Sequence, residues 1–199
     1  MRVPVFLVVL AAACGTPAPP DVPPAYTDPP SVATDGFVIA VTGAVIDMPP
    51  PRLRDYLEAN PITDHLRPRG SIAAPVGIEM LRGEWPQPGS TRRVELADGH
   101  YVVERVVTNE STLFRYQIYR FTSGAGRGVD QVVGEMRFEP TPDGGTDWRW
   151  SYNIKPKSLF ARPFIARFRD RELLPYLEEG AASFAAAANQ AAGAEADGA

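Results

Sequence analysis

Two histidines, one cysteine and scattered carboxylates and phenols are what the chain offers for chemistry near neutral pH. His65 stands beside Asp64 in "TDHLR", but neighbours in sequence point in different directions and make no acid-base dyad by adjacency. His100 follows a hairpin turn, where exposure is expected. No H-x-x-x-H or C-x-x-C spacing for a metal occurs, and there is neither a G-x-S-x-G elbow nor a phosphate-binding loop. "GAGRG" (124–128) would cradle a phosphate only if it opened a helix; it falls between two strand-like runs and reads as a turn. Glu135, Arg137 and Glu139 alternate along one run with Arg149 close by, the pattern of cross-strand ion pairs on a wet sheet face. No metal and no cofactor are expected, and no catalytic residue is specified.

The single thiol, Cys14, follows "MRVPVFLVVLAAA": one cation, an apolar core from Val3 to Leu10, then three alanines, the layout of a secretory signal. Roughly ten apolar residues are too few to span a bilayer as a helix, which needs about 20. Small residues directly before a cysteine resemble the lipobox of bacterial lipoproteins. That resemblance implies a lipidated Cys14 as first residue of the mature chain, anchored through acyl chains worth about 0.8 kcal/mol per buried methylene. Lipoproteins usually carry leucine three residues before the cysteine, where Ala11 stands here; the layout also fits an ordinary secretory signal cut near Ala13. Gly15 after the cysteine resembles lipoproteins sorted to an outer membrane, which implies a cell-envelope location facing the periplasm. With Cys14 lipidated, no disulfide is possible, and stability must come from an ordinary core.

Residues 15–34 hold seven prolines and almost no apolar periodicity, so 14–35 reads as an extended tether reaching up to roughly 60 Å at about 3.1 Å per residue. At the other end, 185–199 is alanine-rich without a bulky apolar side chain, and a frayed, disordered tail is expected there. The segment 36–184 between them suits one domain. A net charge of -4 offers nothing global to nucleic acid, which is not an expected partner.

Within 36–184, "GFVIAVTGAVIDM" reads as a strand and "PPPRLRDYLEA" as a helix opened by prolines. A short helical turn is expected over 62–66. From Val76 the apolar period becomes two, giving strands near 76–83, 90–97, 100–109, 112–122, 131–140 and 147–155. Asp98-Gly99 predicts a type I′ hairpin, and links this short make an antiparallel meander. Trp148, Trp150, Tyr152 and Ile154 share one face of the last strand; Met136 and Phe138, then Phe114, Tyr116 and Ile118, repeat the pattern before it. Their cover is a final helix with Phe160, Phe164, Phe168, Leu173, Leu174 and Leu177 in a stripe, started or bent at Pro163 and Pro175. Its arginines at 162, 167, 169 and 171 read as a solvated face.

This order, carried by "VTGAVIDMPPPRLRDYLEA", "GEMRFEPTPDGGTDWRWSYNIKP" and "FIARFRDRELLPYLEEG", resembles the START-like helix-grip superfamily (SRPBCC) with its polyketide cyclase/dehydrase type. The resemblance implies an α+β fold in which a curved antiparallel sheet of about seven strands wraps a long C-terminal helix, with an apolar cavity between them for a hydrophobic small molecule or lipid. "NPITDHLRP" stands where the superfamily usually has a tryptophan after the first helix.

The natural lining is Phe114, Tyr116, Met136, Phe138, Trp148, Trp150 and Tyr152, with Phe164 and Phe168 as lid, although the same aromatics would serve a filled core. Three functions follow: a membrane-anchored carrier of a hydrophobic molecule; a polyketide-cyclase-like enzyme using Tyr116, Tyr152 or His65 as proton donor; and an envelope interaction module with a filled core. Oligomeric state is not legible.

Overall fold

The computed structural model describes residues 17–20 and 28–196, with side chains to 194; the signal-like segment 1–13 and Cys14 lie outside the described residues. Seven strands, β1 (Val38–Ile46), β2 (Pro75–Arg82), β3 (Thr91–Leu96), β4 (Tyr101–Asn109), β5 (Leu113–Tyr119), β6 (Val129–Pro140) and β7 (Thr146–Pro156), form one sheet. Its order is β1-β7-β6-β5-β4-β3-β2, antiparallel throughout. The meander is the expected one, and β1 closes onto β7 from Val38 opposite Ile154 to Ile46 opposite Thr146. The Asp98-Gly99 turn departs from type I′, which needs positive φ at both central residues: only Gly99 has it, at +81°. The loop closes between Leu96 and His100 at 2.8 Å, and the Asp98 carboxylate accepts the His100 amide at 3.1 Å.

Helix α1 (Pro50–Ala59) and a 3₁₀ turn over Ile62–His65 cross from β1 to β2. After β7 the chain runs along the concave side of the sheet as α2 (Arg162–Phe168), a π-helical turn (Arg169–Leu173) and α3 (Leu174–Ala196). Pro175 has no N–H to bond back one turn, and just before it the Leu174 amide bonds to the Arg169 carbonyl five residues earlier. The wide turn inserts one residue into the helical repeat. The inward stripe therefore steps by five from Phe168 to Leu173, then by three and four through Leu177, Ala181, Phe184 and Ala188.

Three expectations are corrected. The alanine-rich end is not a disordered tail over 185–196: α3 continues to Ala196 with Ala185, Ala188 and Ala192 buried. Alanine has the highest helix propensity, and a small side chain buries a helix face by letting the backbone come close. Asn189 fixes the approach by accepting the Asp47 amide at 2.8 Å. Second, the arginines are not all a solvated face. Arg162 donates to the carbonyls of Gly36 and Phe37 at 3.0 and 3.1 Å, and Arg169 to that of Ile39 at 2.6 Å.

Third, the described parts of the proline-rich segment are not a free spacer but lie on the outer face of the sheet. Gln117 and Gln131, both buried, bond to each other at 2.7 Å, and their amides donate to the carbonyls of Pro30 and Ser31 at 3.2 and 3.0 Å. The Ala33 amide returns a bond to Gln131 at 3.0 Å. Proline-rich chain leaves its carbonyls unpaired, so two side-chain amides at the right register hold it. Further back, the Pro17 carbonyl meets His100 Nε2 at 3.2 Å, while Nδ1 of that ring meets Thr122 Oγ1 at 3.1 Å. His100, expected to be exposed, is buried by these contacts.

Gln131→Ala is expected to speed amide exchange at Ala33 and to destabilise the fold by about 1–3 kcal/mol through the buried amide it orphans, measured by hydrogen exchange and urea unfolding. Ala188→Leu is expected to cost a similar amount, about 1–3 kcal/mol, by overpacking; unchanged stability would refute the packed end of α3.

Candidate functional site

Side chains on the inner face of the paired strands β6 and β7 are bulky at one end and smaller at the other. On β7 the inward series runs Trp148, Trp150, Tyr152, Ile154; on β6 it runs Phe138, Met136, Gly134, Val132, register-matched across the pair. Where the series is large, the space under the helix is full: Trp148 and Trp150 stack with centroids 6.1 Å apart, and Trp148 lies 5.2 Å from Phe184 of α3. Where it is small, a cavity of about 160 Å³ remains. Leu66, Ile118, Val132, Ile154, Phe168 and Leu173 give it apolar walls, and the loop after β5 borders it through Phe121, Ala125 and Gly126.

One side of this cavity is polar. The Arg92 Nε donates to Glu104 Oε2 at 2.8 Å, with both side chains largely buried. The Arg92 guanidinium stacks on Trp85, its carbon 3.6 Å from the ring centroid, which is close for a cation–π contact. Opposite, the Trp150 indole donates to the Tyr116 hydroxyl at 2.9 Å, and that hydroxyl is hydrogen-bonded to the Tyr152 hydroxyl. Three hydrogens serve two bonds in this chain, so one hydroxyl hydrogen is left for an acceptor entering the cavity. The Tyr116 ring has room only because residue 134 is glycine: a Cβ there would fall inside the ring.

Burial pushes the Tyr116, Tyr152 and Tyr176 phenols above their ordinary value, with the Glu104 charge adding to the shift. All three stay protonated, as hydrogen-bond donors, across the physiological range. A second hollow of about 100 Å³ lies between Trp85, Arg92 and α1, lined by Arg54, Leu57, Phe114 and Met136. Trp85 and Arg92 border both spaces. Burial lowers the Arg54 pKa, and its guanidinium sits 5.0 Å from the Phe138 ring centroid.

Of the expected lining, Tyr116, Met136, Tyr152 and Phe168 border the cavity, while Phe114 borders the smaller hollow. Phe138, Trp148 and Trp150 do not reach the cavity; they are fully buried in the packed half, as the size gradient requires. Phe164 is no lid: its side chain points to solvent, one turn before Phe168 on α2. His65 is likewise outside the cavity, with its ring edge-on to Phe184 at 5.5 Å and Nδ1 3.0 Å from Ser183 Oγ. Its pKa is lowered by burial.

The residues missing from the sequence reading are Arg92 and Glu104. "YVVERVV" shows no clean alternation, so the inward parity of Glu104 could not be read within β4. It follows only from register, since Glu104 pairs with inward Ile118 on one side and with Arg92 on the other. Among the described residues there is no cluster of metal-ligating side chains, and no helix is long and apolar enough to cross a membrane.

Residues 41–189 match the family model described as polyketide cyclase / dehydrase and lipid transport. No curated protein sequence matches the chain significantly. The fold is similar to that in the crystal structure of Ara h 8.0201, at 17% identity and a TM-score of 0.51, covering 75% of this chain and 98% of the other. It is also similar to XoxI from Bacillus cereus, at 15% identity and a TM-score of 0.52, covering 76% of this chain and 96% of that one.

Removing one member of the buried ion pair isolates the other charge. Arg92→Met is therefore expected to destabilise by about 3–5 kcal/mol, and the double change Arg92→Met with Glu104→Leu to recover most of that loss. Urea unfolding of the two variants checks this; equal losses would show that Glu104 does not depend on its partner.

Proposed function

The chain belongs to the polyketide cyclase / dehydrase and lipid transport family, and on that premise we propose that its domain binds a small hydrophobic molecule between the sheet and the C-terminal helix. The cavity of about 160 Å³ with its spare hydroxyl hydrogen carries this reading. Its volume is close to that of an engineered apolar cavity of roughly 150 Å³ that holds benzene. It is well below the roughly 300–1,000 Å³ of drug-sized pockets. The ligand is thus one or two rings, or a short acyl chain, with an acceptor oxygen facing Tyr116, Tyr152 and Arg92. Trp85 sets its length, because removing that ring would join the cavity to the second hollow. A space of this size disfavours the filled interaction module.

Binding is favoured over proton transfer. A general acid works best with a pKa near the operating pH, whereas burial drives the phenols of Tyr116 and Tyr152 further above it, and His65 stands outside the cavity. The sequence of residues 2–14 supports the further reading that Cys14 is lipidated and that the domain works in the cell envelope, on an outer membrane facing the periplasm.

Native mass spectrometry of the chain from its own host is expected to show a co-purifying apolar molecule, and Val132→Phe, which fills the cavity, to lose it while remaining folded. Trp85→Ala is expected to take up longer ligands. Affinity should be flat from about pH 6 to 9, because phenols raised above their usual value near 10 keep their protons there. A clean apo mass with no uptake from a panel of aromatic and short-chain compounds would overturn the reading.

A further inference from the structure

Leu159, Phe160 and Phe164 are 85, 88 and 74% exposed, the most exposed large apolar side chains among the described residues. They stand together on the turn after β7 and the first turn of α2. Cations flank them in the sequence: Lys157 and Arg167 are exposed, and no Asp or Glu occurs between Asp147 and Asp170 in a chain whose net charge is -4. The knob adjoins the loop that borders the cavity. The Lys157 amide donates to the Gly128 carbonyl at 3.0 Å, and a Cβ at Gly128 would meet Ile165 and Ala161. Phe168, one turn along from Phe164, lines the cavity itself.

We propose that Leu159, Phe160 and Phe164 insert into the surface of an anionic phospholipid bilayer, with Lys157 and Arg167 at headgroup level. Protruding apolar side chains fringed by cations suit an interface that is apolar a few ångströms down and negative above. They are three side chains on one turn and one helical turn, few beside the roughly 20–30 residues a side of a stable protein interface. The chain's N-terminal side lies at the same end of the sheet. The Pro17 carbonyl meets His100 beside the β3–β4 turn, and Thr122 of the loop after β5 meets the same ring. The docking itself needs neither lipidation nor a cavity ligand; its consequence, that the cavity's loop end faces the bilayer, rests on the binding reading above.

The test uses the full chain carrying Cys14→Ser, which cannot be lipidated, with Phe160→Cys labelled by nitrobenzoxadiazole, and with Glu110→Cys at the opposite end of the sheet as a second label site. On vesicles of phosphatidylcholine with one third phosphatidylglycerol, the label at 160 is expected to shift to the blue and to be quenched by doxyl-labelled acyl chains, while that at 110 does not change. Arg167→Gln should weaken binding about fivefold, and added salt should weaken it further. The proposal is overturned if the chain sediments with vesicles while the label at 160 stays in water, or if the shift is as large on phosphatidylcholine alone. It is equally overturned if the label responds to protein concentration without vesicles, which would make a second copy the occupant.

Discussion

The stacked indoles of Trp148 and Trp150, pressed under Phe184, decide what the rest of the domain can be. They fill one half of the concave face and set the height at which α3 rests, so the cavity in the other half follows from the decline from tryptophan to isoleucine and from phenylalanine to valine along β7 and β6. A helix is a rigid rod and cannot sag into the space its partner strands leave. Close packing elsewhere makes this void informative, because protein interiors hold few gaps larger than a water molecule.

Polar groups in such a place cost stability unless each finds a partner. Arg92 and Glu104 answer one another across β3 and β4, and the Trp150–Tyr116–Tyr152 chain answers itself with one hydrogen to spare. Replacing a buried ion pair by apolar residues of similar volume is often neutral or stabilising, so the pair is poorly explained as a stability device. Arg92, against Trp85, borders both hollows and Glu104 the larger one, which explains the pair better as a fixed polar landmark for whatever enters. Gly134 belongs to the same arrangement, since it alone gives the Tyr116 ring its seat.

Period-two runs from Val76 onward and the proline-led helix made the meander and α1 readable, and they carried the α+β helix-grip architecture with them. What stayed hidden needed register or distance. Glu104 sits in a run of valines whose parity is set by β5, and Arg92 is its neighbour only after β3 pairs. The buried alanine stripe of α3 looked inert because burial was equated with bulk. Gln117 and Gln131 gain their role only from the proline-rich segment that lies across them, through contacts 87 and 100 residues apart in the chain. Phe164 and Phe168 share a helical stripe, yet only the second turns inward, since the stripe reaches the end of the sheet between them.

Arg162 and Arg169 have a further consequence. β1 is an outermost strand, and the carbonyls of Ile39 and of Gly36 and Phe37 just before it would otherwise be a template on which another extended chain could add. Guanidinium groups from the chain's own helix occupy them, and they bring positive charge to the rim where an incoming strand would have to lie. Exposed Ile39, Val41 and Val45 on this strand would make an unguarded rim prone to fibril-like stacking. The helix that closes the grip thus also blunts the sheet's growth, and self-association through β1 would require α2 to peel away first.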